Sequence, residues 1–270
     1  MPELPEVETT RLGLSRLVKE KKIVEVIVRQ RNLRWPIENG FEDQLRGNTF
    51  TKLSRRGKYL LFHAESGRMM VHLGMSGSLR VVSSRSNIRK HDHVHICFDN
   101  SSVLRYHDPR RFGSIFWLAP KQIHRLLKNL GPEPLSKHFD GNYLYDMAKH
   151  RKVAVKTLIM NSSIVVGVGN IYANEALFLS GIRPDRLSSS ISKQRYKGLV
   201  SQIKRVLNSS IRSGGTTLRD FVREDGQPGY FKQRLFVYGR GELGCKNCKK
   251  LLQETRINNR STFFCSRCQT

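Results

Sequence analysis

The sequence predicts an α+β chain of three units: a β-rich N-terminal part, a helical part and a small metal-binding knuckle. Three observations carry this prediction. Short apolar or alternating runs fill residues 22–118, the apolar period turns helical beyond a proline-rich boundary, and four of the five cysteines fall between 245 and 268. Several short strands separated by Gly, Ser, Asn and Asp are the signature of a sandwich or flattened barrel.

MPELPEVETT opens the chain. Pro5 suits the first turn of a helix, where its missing N–H would be unpaired, and Glu6 and Glu8 suit the positive helix end. That helix is expected over 6–20, with Val7, Thr10, Leu14, Leu17 and Val18 on one stripe. IVEVIVRQ, KYLLFHA, RMMVHLGM, SLRVVS, HVHICFD, SVLRYH and SIFWLA then read as strands. GPEPLSKHFDG (131–141) has two prolines and a glycine at each end, which marks a linker. YLYDMAKH, KTLIMNSS, NIYANEALFLSG, KQRYKGLVSQIKRVLNSSIRSGG and LRDFVRED follow as helices, and short strands return around the cysteines. The expected domains are therefore 1–130, a linker at 131–141, 142–230 and 231–270.

Composition bounds the function. Lys and Arg number 48 against 22 Asp and Glu, a formal net charge of +26 spread along all 270 residues. Such an excess repels itself in a compact fold and is kept for a polyanion, so nucleic acid is the expected partner. No apolar run reaches the roughly 20 residues that span a bilayer, and the start lacks the pattern of a signal peptide. A cytoplasmic protein without membrane partners is expected.

The motifs sharpen this. Cys245 and Cys248, then a gap of sixteen residues, then Cys265 and Cys268 give two CxxC pairs at the spacing of a tetrahedral four-cysteine zinc site on a β-hairpin. Two disulfides are the competing reading, and the absence of an export signal argues against it. A closed four-thiolate site is structural, so one structural Zn2+ is expected. Cys97 is read as a small buried hydrophobe. GVGNIYANEAL (167–177) sets glycines and Asn170 before a helix, which suits a phosphate or an ordinary turn equally. SRRGKYLLF presents Lys58 at a strand mouth, HLGMSGSL exposes Met75 between two glycines, and HDPRRFG places Arg110, Arg111 and Phe112 in a turn. An exposed Met in a glycine turn suits a wedge for a base stack, and an arginine pair beside an aromatic suits backbone clamping. His91, His93 and His95 alternate in KHDHVHIC, as a polar strand face or, less favoured, a metal triad.

With MPELPEVET, RRGKYLLF, HLGMSGSL, KHDHVH, DPRRFG, VVGVGNIYANEAL, GGTTLRDF and the CxxC pairs in order from end to end, the chain resembles the bacterial formamidopyrimidine-DNA glycosylase family. The resemblance implies an N-terminal β-sandwich with flanking helices, then a helix–two-turn–helix domain with a four-cysteine zinc-finger β-hairpin. It implies a monomer acting on double-stranded DNA with damaged bases, excising oxidised purines such as 8-oxoguanine and formamidopyrimidines and then cutting the strand by β,δ-elimination. The family's N-terminal proline nucleophile falls on Pro2, its acid on Glu3, its motif lysine on Lys58 and its zinc-finger arginine on Arg260. The wedge falls on Met75, Arg110 and Phe112, and backbone-binding positions on His91, Arg110, Asn170 and Arg151. The loop 221–231 corresponds to the segment that caps a flipped base. An endonuclease VIII-like enzyme for oxidised pyrimidines is the alternative, although those begin PEGPEI where this chain has PELPEV. A non-enzymatic nucleic-acid-binding zinc protein is the third reading.

The chemistry explains why a terminus would carry such residues. With Met1 removed, Pro2 offers a secondary amine, and an α-amino group with a pKa of about 7.7–8.0 is partly uncharged near neutral pH. Its attack on a sugar C1′ gives an iminium, an electron sink for elimination. Glu3 is expected to donate a proton to the opening sugar, with Glu6 helping to position it. Lys58 is expected to bind the neighbouring phosphate or transfer a proton, and Arg260 to grip flanking phosphates.

Overall fold

The computed structural model describes residues 2–214 and 235–270, which form two compact units: residues 2–128 with Gly214, and residues 129–213 with 235–270. Met1, the capping loop expected at 221–231 and the helix expected over LRDFVRED lie outside the described residues.

The first unit begins with α1 (Leu4–Val18), whose stripe of Val7, Thr10, Leu14 and Val18 is buried as its 3.6-residue period requires. After β1 (Ile23–Val28) and the short α2 (Phe41–Leu45) come β2 (Lys52–Arg56), β3 (Tyr59–Ala64), β4 (Gly67–His72), β5 (Ser78–Ser83), β6 (Asp92–Phe98), β7 (Ser102–His107) and β8 (Ser114–Leu118). They make two four-stranded antiparallel sheets, ordered β1-β6-β7-β5 and β2-β3-β4-β8. Val26, Val81, Ile96 and Leu104 of the first sheet share one core with Leu60, Phe62, Met69, Val71 and Ile115 of the second. This is the sandwich the alternating runs predict. The second sheet has apolar residues on its other face too, where Leu61, Met70, Phe116 and Leu118 cluster with Trp35 and Tyr59. Burial on both faces explains why KYLLF, RMMV and SIFWL read as continuous apolar runs without alternation. The sequence reading missed β2, since KLSRR is polar at four of five positions and has only Leu53 buried. The unit ends with the short α3 (Arg125–Lys128).

The second unit is built from α4 (Gly141–Ala148), α5 (Val155–Met160), α6 (Asn170–Leu179) and α7 (Lys193–Arg212), followed by the hairpin β9 (Gln253–Ile257) and β10 (Arg260–Phe264). The Asp140 carboxylate caps α4 by accepting from the Tyr143 N–H at 2.8 Å. The 131–141 stretch contributes Phe139, fully buried in the helical core with Leu158, Tyr172, Leu199 and Ile203. On α7, Tyr196, Leu199, Val200, Ile203 and Leu207 form the buried stripe, leaving Lys193, Lys197, Arg205 and Arg212 exposed. The cysteine-bearing tail has its own small core, where Val237, Leu252 and Phe263 pack on Phe178 of α6. No helix among the described residues is long and apolar enough to cross a membrane.

Candidate functional site

In the first unit the chemistry starts at the end of α1. Pro2 is buried and Glu3 is 3% exposed. The Glu3 backbone N–H donates to Glu6 Oε2 at 2.9 Å, so Glu6 holds the residue before the helix in place. Glu8, one turn on, accepts from Arg11 at 2.7 Å and from Arg55 Nε at 2.9 Å. Burial alone would raise the Glu8 pKa, but the hydrogen bonds and charges of Arg11 and Arg55 outweigh it and hold the group below its ordinary value. Arg55 also donates to the Gly57 carbonyl at 2.9 Å. Because Arg56 pairs with Tyr59, Gly57 and Lys58 form a two-residue hairpin turn. The start of the chain and Lys58 are therefore linked through Glu8 and Arg55. Sequence reading placed both ends of this link and missed its middle; the surplus arginines of SRRGK are the only signal for it.

His72, at the end of β4, packs on Tyr59 with ring centroids 4.9 Å apart. Burial and the nearby charges of Lys58 and Arg34 push its pKa down to about 4, Asp108 opposing them. A neutral imidazole results, and its Nδ1 accepts the Gly74 N–H at 3.1 Å.

Beyond His72 lie the two exposed loops. Met75 is 37% exposed and Phe112 41%, and the Arg110 guanidinium stacks over the Phe112 ring at 4.8 Å. Both loops emerge next to β7, and the buried Asp108 lies beneath them. His91 is half-buried, its ring 6.0 Å from His93 and 5.9 Å from His107. His93 and His95 are buried, His93 donating to the Asp108 carbonyl at 2.8 Å. Among the described residues only the four late cysteines can form a metal site, so the histidine triad does not come together. Cys97 is half-buried, less enclosed than expected, and burial with nearby Glu25 raises its pKa.

In the second unit the Sγ atoms of Cys245, Cys248, Cys265 and Cys268 lie within 4.8 Å of one another, with Cys245–Cys268 at 3.9 Å and Cys248–Cys265 at 3.5 Å. Four sulfurs at about 2.3 Å from a tetrahedral zinc stand roughly 3.8 Å apart, so these thiols fit one structural Zn2+. The hairpin turns at Asn258 and Asn259, with φ of 48° and 57°, the mirror-image turn that matches strand twist. Arg260 follows at once, exposed at the start of β10. Its neighbour Ser261 is held on both sides of one carbonyl, by Lys156 Nζ at 2.9 Å and Asn170 Nδ2 at 3.0 Å. Lys156 is 1% exposed and also donates to Thr262 Oγ1 at 2.7 Å. Asn174 accepts the Phe263 N–H at 2.8 Å, and the Glu175 carboxylate accepts the N–H groups of Phe236, Val237 and Tyr238 at 2.8, 2.9 and 2.9 Å. Asn170 and Asn174 of α6 thus fasten the zinc hairpin, Glu175 fastens the segment 236–238 that precedes it, and Asn170 and Arg260 become neighbours. Arg151 is exposed after α4, and its carbonyl accepts from Ser188 Oγ at 2.7 Å. The latch of Lys156, Asn174 and Glu175 escaped sequence reading. Charged residues on helices that are otherwise apolar are its trace.

A strongly basic chain whose zinc hairpin is fastened to a helix beside an exposed arginine, and whose buried start is linked to a lysine turn, defines a zinc-finger protein equipped to work on nucleic acid. Residues 1–115 match the formamidopyrimidine-DNA glycosylase N-terminal domain, 130–222 the formamidopyrimidine-DNA glycosylase H2TH domain and 245–270 the zinc finger found in FPG and IleRS. The formamidopyrimidine-DNA glycosylases of Thioalkalivibrio sulfidiphilus and Pseudomonas aeruginosa are 52% and 53% identical over 270 residues, 100% of this chain and of each relative. The crystal structure of MutM (Fpg) from Thermus thermophilus matches with a TM-score of 0.88 at 35% identity, covering 99% of this chain and 98% of that one. The complex of Lactococcus lactis Fpg with abasic-site DNA matches with a TM-score of 0.92 at 30% identity over 100% of both chains. The chain belongs to the formamidopyrimidine-DNA glycosylase family.

Proposed function

We propose that this chain removes oxidised purines, 8-oxoguanine and formamidopyrimidines, from double-stranded DNA and then cuts the strand through a Schiff base on Pro2. It is a DNA glycosylase of base-excision repair, working as a cytoplasmic monomer. The observation that carries the residue assignment is the link from the start of α1 through Glu8 and Arg55 to the turn bearing Lys58.

With Met1 in place the Pro2 nitrogen is an amide and has no nucleophilic lone pair, so the reading requires its removal. The resulting secondary amine attacks C1′ as the bond from C1′ to the base breaks, and the N–H proton the amine sheds passes to the departing base. Glu3 gives its proton to O4′ as the C1′–O4′ bond opens, leaving an iminium between Pro2 and C1′. Loss of a C2′ proton then sends an electron pair toward the iminium and expels the 3′ phosphate; a second elimination expels the 5′ phosphate, and water releases Pro2. Lys58 holds the phosphate beside the lesion, and Arg260 holds the damaged strand. His91, Asn170 and Arg151 bind backbone, while Met75, Arg110 and Phe112 fill the gap left by the everted base. Zinc, bound by Cys245, Cys248, Cys265 and Cys268, supplies rigidity to the hairpin that presents Arg260.

Borohydride trapping tests this on duplexes carrying 8-oxoguanine, a formamidopyrimidine or an oxidised pyrimidine. A covalent adduct is expected on the purine lesions, lost in Pro2→Gly and reduced in Lys58→Ala. No adduct with the intact protein, an adduct indifferent to both substitutions, or active enzyme that retains Met1 by mass spectrometry refutes the mechanism. A preference for the pyrimidine lesion refutes the substrate class.

A further inference from the structure

Asp108 sits beneath the loops that carry Met75, Arg110 and Phe112 and beside His91. Asp108 is 0% exposed and lies between the loop of Met75 and the loop of Arg110 and Phe112. Its Oδ1 accepts from Ser76 Oγ at 2.8 Å and from the Arg110 N–H at 3.3 Å. Its Oδ2 accepts from Tyr106 Oη at 3.0 Å and from the Gly113 N–H at 2.9 Å. Its backbone reaches the third element, since its N–H donates to the His91 carbonyl at 3.0 Å. The loops also touch directly. A Cβ on Gly74 would stand 2.4 Å from the Phe112 carbonyl carbon, so only glycine fits at this approach, where φ is +64°.

We propose that Asp108 is the positioning residue of this surface, its buried carboxylate clamping Ser76 and Gly113 so that Met75 and Phe112 enter a base stack as one preformed wedge. The proposal rests on the reading of Met75, Arg110 and Phe112 as the wedge. Opening a base step is uphill, and loops that had to order themselves at the same moment would add their conformational entropy to that barrier. A carboxylate suits the task because all four of its partners donate. An Asn amide does not. Hydroxyls of Ser76 and Tyr106 can rotate to accept from an NH2, but the Arg110 and Gly113 N–H groups cannot, so either amide orientation leaves one backbone donor facing another donor.

The test compares Asp108→Asn with wild type in single-turnover excision of 8-oxoguanine from a matched duplex and from an unpaired bubble, with thermal melting as the fold control. Asp108→Asn is expected to slow duplex excision on the order of 10–100-fold, from the loss of buried hydrogen bonds that hold the wedge. In the bubble, where no stack has to be opened, the difference should shrink to about 2-fold. Ser76→Ala, which removes only the bridge to the Met75 loop, should show the same pattern more weakly, and Ser76→Thr should restore duplex excision. Wild-type duplex rates in Asp108→Asn, or equal losses on duplex and bubble with unchanged melting, overturn the proposal. If Asp108→Asn fails to fold, natively melting Ser76→Ala without a duplex defect overturns it instead. Met75→Ala and Phe112→Ala separate the two levels of inference. If these two excise from duplex at wild-type rates, the wedge reading itself falls and takes the proposal with it; if they are slow while Asp108→Asn and Ser76→Ala are not, only the positioning role fails.

Discussion

Glu175 makes the sharpest stability prediction. It is 4% exposed on α6, and its carboxylate is the acceptor for three consecutive N–H groups, those of Phe236, Val237 and Tyr238. Glu175→Gln keeps the shape and removes the charge. One amide orientation preserves the two bonds at Oε1, to Val237 and Tyr238, and sets an NH2 against the Phe236 N–H. The loss is one charge-assisted bond, the desolvation of a buried donor left unpaired and the weakening of the two remaining bonds, about 2–4 kcal/mol together. For a unit of this size that is roughly 10 °C in melting temperature. The assay is calorimetry at fixed zinc, joined to the rate at which a chromophoric chelator takes zinc from the protein. The segment 236–238 should loosen first, and because Val237 shares the core of Cys245 and Cys265, zinc release should quicken along with the fall in melting temperature. Melting within about 1 °C of wild type together with unchanged zinc release refutes the idea that this carboxylate, by holding 236–238, fastens the cysteine-bearing tail.

Other expectations follow from the same structure. His72 is held down to about 4 by burial and by Lys58 and Arg34, so the folded state resists a proton that the unfolded chain accepts near pH 6.5. Its contribution, about 3 kcal/mol, is complete above that pH and is lost as pH falls from about 6.5 through 4, which urea midpoints across this window and an NMR titration of the His72 ring will show. A ring that titrates near 6.5 refutes its enclosure. Gly113→Ala would put a Cβ 1.7 Å from Tyr106 Oη and 2.6 Å from the His72 carbonyl oxygen, and should lower stability by about 3 kcal/mol in denaturant melts. Chelating the zinc should abolish the β9–β10 signal in hydrogen exchange while the sandwich amides stay protected, since the cysteine core is separate from that of the sandwich. Simultaneous loss of both would contradict it.

What was legible in the sequence was whatever repeats with a period or sits at a fixed spacing. Val7, Leu14 and Val18 declared α1, the apolar runs declared seven of the eight strands of the sandwich, and two CxxC pairs declared the zinc site. KLSRR hid because it owes its place to ladder pairing with β3, not to apolar side chains. The supporting residues hid for a related reason. Glu8 and Arg55 are 47 positions apart, and Lys156 and Ser261 are 105 apart, so nothing local marks either pair. HDPRRFG reads only as a turn carrying Arg110, Arg111 and Phe112, and the fold alone shows four donors converging on Asp108.

The anchored start of α1 has a further consequence, in entropy. Leu4 and Val7 are wholly buried, and the Glu3 N–H is tied to Glu6, so this end of the chain does not fray as most do. A lysine presented to a substrate must first give up side-chain rotamer freedom worth about 2 kcal/mol. On the proposed mechanism, the amine of the proline ring at position 2 has no such freedom to lose, because the backbone has already ordered it during folding. The ordering is done once, when the helix packs, and not again at each encounter with DNA.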